Sequence, residues 1–77
     1  MLHEYRDLIN ELRQNDNHFA RLFNEHNELD EEISRLENDP VAVASRHDEI
    51  EQKKREKLRL KDEITRLVKQ KDAERKG

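Results

Sequence analysis

Glu37-Asn38-Asp39-Pro40-Val41, at the centre of the 77-residue chain, holds its single proline, and its single glycine is the last residue, Gly77. Asn and Asp favour turns, and the residue before a proline is pushed out of the helical region. With no other strong helix breaker, this stretch divides the chain into two arms of similar length. The reading that follows is one domain over residues 1–77, with an N-terminal arm at 3–37, a turn at 38–42 and a C-terminal arm at 43–74.

Working back from the turn, Tyr5, Leu8, Leu12, Asn15, Phe19, Leu22, His26, Leu29, Ile33 and Leu36 follow spacings of 3 and 4 in alternation, and eight of these ten residues are apolar. That stripe runs along one face of a helix with the spacing of a coiled-coil seam. Ile9 and Phe23 widen it. Beyond the turn, Val43, His47, Ile50, Lys53, Lys57, Leu60, Ile64, Leu67 and Lys71 keep roughly the same spacing, with Leu58 and Val68 beside the seam. Lysine stems cover apolar surface while their ammonium groups reach water. The expected fold is therefore all-α: an antiparallel coiled-coil helical hairpin. Pairing Leu36 with Val43 puts Leu29 opposite Ile50, Leu22 opposite Lys57, Phe19 opposite Leu60, Asn15 opposite Ile64, Leu12 opposite Leu67 and Leu8 opposite Lys71.

Charge supports the hairpin. The net charge is −3, but residues 1–39 carry four basic and eleven acidic side chains, and residues 40–77 carry twelve basic and eight acidic. Halves of opposite sign in so short a chain are expected to face each other, with Glu25 falling opposite Lys54. Local chemistry adds one break. Asn15-Asp16-Asn17 are poor helix formers side by side, and Asp16 or Asn17 suits the N-cap of a helix running to about Glu37. Residues 3–14 then form a short N-terminal helix, broken or kinked near 15–17, although the unbroken heptad count argues for continuity. Ser45, with Asp48 three residues on, is expected to cap the second long helix. Lys69 to Gly77 is highly charged and expected to fray.

Composition narrows function. Only 31% of residues are hydrophobic and 45% are charged. A chain this small fills a seam between helices, not a thick globular core. It has no cysteine, which excludes disulfides and thiolate metal sites. The N-terminal residues Met1 to Tyr5 show no signal-peptide pattern and no stretch reads as a transmembrane helix, so a cytoplasmic location and no membrane partner are expected. His3, His18, His26 and His47 form no metal-binding motif, and His18 and His26 stand two helical turns apart. His26 and His47 read as polar residues setting register in the seam, and no metal or cofactor is expected. The carboxylates of Glu28 to Glu32 read as a solvated helix face. With only two serines, Ser34 and Ser45, and no pocket to shift a pKa or hold a small-molecule substrate, the chain is not expected to be an enzyme.

Two kinds of partner are left. Lys53, Lys54, Arg55, Lys57, Arg59 and Lys61 place six positive charges in nine residues, a cluster able to attract phosphates. It lacks interleaved aromatics for base stacking and faces an acidic arm, so charge matching within the hairpin is the stronger reading and nucleic-acid binding the alternative. Leu2, Tyr5, Ile9, Leu58 and Val68 are candidates to stay uncovered and to pack against another protein or a second copy.

Four segments carry a resemblance. His3-Glu4-Tyr5-Arg6-Asp7-Leu8-Ile9, then His18-Phe19-Ala20-Arg21-Leu22-Phe23 and His26-Asn27-Glu28-Leu29-Asp30-Glu31-Glu32-Ile33, with the later Lys54 to Ile64 segment, resemble the YdcH-like family of small bacterial proteins. The resemblance implies a helical hairpin and a bacterial, cytoplasmic origin. It supplies no activity, substrate or catalytic residue, because that family is a domain of unknown function. Relatives can carry a proline near the position of Asn17, which supports a helix start there.

Overall fold

A computed structural model describes residues 5–76, which form four helices: α1 (Arg6–Asn15), α2 (Asn17–Glu37), α3 (Pro40–Ser45) and α4 (His47–Lys76). The fold is the all-α hairpin. α2 and α4 pack antiparallel in a body of 51 × 21 × 18 Å. At 1.5 Å per residue a thirty-residue helix is about 45 Å long, so α4 sets the long axis. It is helical to Lys76. Leu2, His3 and Gly77 lie outside the described residues.

The break near residue 16 is present. Asp16 is extended (φ −122°, ψ 106°), and its Oδ1 accepts the N–H of Phe19 at 3.1 Å, capping α2. α1 is amphipathic and buries Leu8, Ile9 and Leu12. These join Phe19, Leu22, Leu60, Ile64 and Val68 in the main core, at the open end of the hairpin, with Tyr5, Phe23, Leu29 and Leu67 packed at its edge. α1 touches both α2 and α4. A helix wedged against two others needs two lines of contact, which explains why Ile9 is buried beside the seam pair Leu8 and Leu12. The same wedge rotates the buried stripe of α4. Leu60, Ile64 and Val68 are buried at successive spacings of four, and Leu67, the expected seam residue, is only half-buried. The Arg13 guanidinium lies 4.5 Å from the centroid of the Phe23 ring, which stacks on Phe19 at 6.1 Å.

The turn is shorter than the expected 38–42. Only Asn38 and Asp39 leave the helical ladder before Pro40 opens α3. Asp39 Oδ1 accepts the Val41 N–H at 3.0 Å, and Pro40 stands at the first helical position, where its missing N–H costs nothing. α3 ends at a bend at Arg46 (φ −123°, ψ 29°), where the Arg46 guanidinium bonds the Glu49 carboxylate. Ser45 does not cap α4 as expected: it is the last residue of α3, and its Oγ donates to the Val41 carbonyl at 2.7 Å.

The extra helix shifts the register by about one heptad. Lys57 meets Asp30, not the expected Leu22, and Lys54 meets Glu37, not Glu25. The fold-back point moves from the Asp39–Pro40 bond into α3, so the second long helix begins at His47 and not at Val43. Val43 consequently leaves the seam. It is 41% exposed, while its neighbour Ala42 is 4% exposed and occupies the buried place with Ile33 and Ile50. Asn15 and His47 are also exposed, contrary to their expected seam positions.

Candidate interaction surfaces

Between the core at the open end and the small cluster near α3, the seam carries few apolar residues, and charge takes over. Lys53 Nζ donates to Glu32 Oε2 at 2.8 Å on one flank, and Lys57 Nζ donates to Asp30 Oδ1 at 2.9 Å on the other. Lys54 reaches Glu37 at 3.3 Å, and Arg75 reaches Glu11 at 2.9 Å. In all four pairs the acid lies on the first arm and the base on the second, as the charge split implied. The hydrogen bond from Lys57 is the main force holding the Asp30 carboxyl below its ordinary pKa, and that from Lys53 does the same for Glu32. Glu49 and Glu56 are lowered in the same way by their hydrogen bonds from Arg46 and Arg59.

These shifts have a sign. A carboxylate whose pKa is depressed on folding stabilises the fold above its unfolded value, and that contribution is lost as pH falls through the folded value. The melting temperature followed by circular dichroism is therefore expected to be flat around neutrality and to fall as pH drops through and below the ordinary carboxylate range. Lys57→Met is expected to reduce that acid dependence. An unchanged acid limb in the variant would show that the Asp30–Lys57 pair does not couple to folding.

The basic segment is largely consumed by this pairing. Lys53, Lys54 and Lys57 face first-arm carboxylates, and Arg59 is held by Glu56 and Glu63 on its own helix. Arg55 and Lys61 are exposed and take part in no ion pair among the described residues. No continuous band of free positive charge results.

The three histidines among the described residues do not converge. His18 stands 4.0 Å from Glu63 on the surface, and His47 lies near Asp48 and Glu51. His26 is half-buried in the seam, and its buried Nδ1 has no hydrogen-bond partner among the described residues. No group of three or more His, Asp or Glu among the described residues is placed to hold a metal ion.

Apolar exposure falls in an unexpected place. Of the candidates for an uncovered face among the described residues, Ile9 and Val68 are buried, Tyr5 is half-buried, and Leu58 is exposed, at 55%. Among the described residues the most exposed large apolar side chain is Val41, at 73%, on α3 beside Val43. Pro40-Val41-Ala42-Val43-Ala44-Ser45 is a six-residue run without charge in a chain that is 45% charged. The clue was available: Asp followed by Pro is an N-cap and first-turn pair, so Asp39-Pro40 starts a helix as well as ending one.

The matched region spans these features. The family described as "Protein of unknown function (DUF465)" matches residues 19–68, which run from Phe19 in α2, through the tip, to Val68 in α4. The chain belongs to the DUF465 family. It is 40% identical over 70 residues to the uncharacterised protein YdcH of Escherichia coli (strain K12), covering 91% of this chain and 92% of the relative. YdcH of Shigella flexneri matches with the same identity and coverage. No solved structure matches the chain. For this DUF465 member, no helix among the described residues is long and apolar enough to cross a membrane.

Proposed function

We propose that this DUF465 protein is a non-catalytic coiled-coil module of the cytoplasm that binds another protein or a second copy of itself, with the α3 tip as its principal contact. The observation that carries the reading is the exposure of Val41 and Val43 at the end of a rod whose sides are charged. A helix that presents two valines to water gains by burying them against a partner. The charged sides suit register and solubility, and the hairpin offers length without an enclosed chamber of the kind small-molecule chemistry uses.

Affinity capture of the tagged chain from its own cells tests this, with and without nuclease. A protein partner is expected to survive nuclease treatment and to be lost from a Val41→Asp/Val43→Asp variant of unchanged helicity. Failure to retain any specific protein would overturn the reading. Material retained only without nuclease would favour the alternative, a nucleic-acid-binding accessory role. That reading has one observation behind it, the unpaired Arg55 and Lys61, and predicts salt-sensitive binding weakened by R55E and K61E.

A further inference from the structure

We propose that α1 is an exchangeable arm: Asp16 straightens, α1 and α2 merge into one helix over residues 6–37, and α1 completes the core of a second copy. The proposal deepens the self-association side of the reading above and rests on it.

Two sets of interactions compete at this hinge. In the bent chain the backbone ladder is interrupted. Asp16 N–H still reaches the Leu12 carbonyl at 2.8 Å, and Ala20 N–H reaches the Asp16 carbonyl at 2.9 Å. Among the described residues, the N–H groups of Asn17 and His18 make no bond to the α1 carbonyls, and Phe19 N–H is held by the Asp16 side chain. Straightening the chain would give all three N–H groups helical acceptors at Arg13, Gln14 and Asn15 in exchange for one cap. The bend persists because it tucks Leu8, Ile9 and Leu12 against Phe19 and Val68. If that burial is supplied by a neighbour, the bend has no further advantage.

The sequence suits both forms. The heptad spacing runs through the hinge without a skip, from Leu8 and Leu12 through Asn15 to Phe19 and Leu22. A chain meant only to fold back has no need of that continuity. Released, α1 is ten residues long, too short to be a stable helix by itself, and it would leave Leu8, Ile9 and Leu12 bare. The surface that accepts α1 is already the complement of α1 in this structure, including Arg75 for Glu11 at 2.9 Å and the Phe23 ring for Arg13. A second copy therefore offers the identical site, and closing the exchange twice gives a symmetric dimer with no unfilled ends.

Position 17 allows the two forms to be separated. Asn17 is the first residue of α2 and its N–H is unbonded, so Asn17→Pro fits the bent chain, and Asp16 already has the extended backbone a following proline demands. In the merged helix the same proline would clash with the Arg13 carbonyl. Asp16→Ala does the opposite, removing the cap and favouring continuity.

Sedimentation velocity on the full chain over a wide concentration range is the test. The wild type is expected to show a concentration-dependent dimer. Asp16→Ala should tighten it by about tenfold, since each of two chains loses a cap from the bent form. Asn17→Pro should weaken it by at least about tenfold at unchanged helicity. In a mixture of differently isotope-labelled chains, contacts between Ile9 of one copy and Val68 of another are expected for the wild type and absent for Asn17→Pro. A dimer indifferent to Asn17→Pro would overturn the exchange while leaving self-association standing. A monomer in all three proteins would also overturn it, while affinity capture would still decide whether the chain binds a different protein. Should Asp16→Ala fold poorly, Asn17→Pro and the labelled mixture decide.

Discussion

Phe19→Ala is expected to leave the hairpin largely unfolded at room temperature. Phe19 is 1% exposed and sits where all three longer helices meet: its N–H closes the cap of α2, its ring stacks on Phe23, and its side chain belongs to the core shared by α1 and α4. Truncating a buried phenylalanine removes its transfer free energy and leaves a cavity, together about 3–5 kcal/mol. A single core in a chain of this size rarely supplies more than about 3–5 kcal/mol of net stability. The loss therefore matches the whole margin. Far-ultraviolet circular dichroism of Phe19→Ala should show most of the native helicity gone, or a urea midpoint close to zero. Leu58→Ala, at a position 55% exposed, should leave the unfolding free energy within about 0.5 kcal/mol of the wild type. A Phe19→Ala protein with the wild-type midpoint would mean that the three helices do not share one cooperative core.

Sequence periodicity identified the hairpin because most seam residues on both arms are apolar and recur at helical spacing. Phe19, Leu22, Ile33, Ile50, Leu60 and Ile64 are all buried where the stripe placed them. The break at Asp16 was legible because its side chain is a good helix cap and its neighbours are poor helix formers. Register was less legible, and the reason is local. Antiparallel register follows from where the chain reverses, and a proline ends one helix as readily as it begins another. Reading Pro40 only as a terminator hid α3, displaced the second arm by about one heptad and put Val43 inside. The rotation from Leu67 to Val68 was out of reach for a different reason. It depends on a third helix packing on one flank, which a two-helix count does not contain. The exposed tip escaped for the same cause as α3, since residues assigned to a turn are not asked which side they present.

Ala42→Asp tests the corrected tip directly and is expected to have the second largest effect. Ala42 is 4% exposed in a six-residue helix held by a single proline-initiated turn, with Ile33 and Ile50 the other buried residues at this end of the hairpin. A carboxylate placed there is stripped of its hydration, and a buried polar group left without a partner costs about 2 kcal/mol or more. The added volume strains the packing further. Val43→Asp, one residue along, places the same charge at a position 41% exposed and should leave the unfolding free energy within about 0.5 kcal/mol of the wild type. The order of these two results decides which residue faces inward. The seam count made from Leu36 to Val43 demands that Val43→Asp be the damaging change, and the shifted register demands that Ala42→Asp be. Because Val43→Asp is expected to keep the fold, it can also enter the capture experiment as a surface variant, so that a lost partner reports on contact at the tip and not on collapse of the rod behind it.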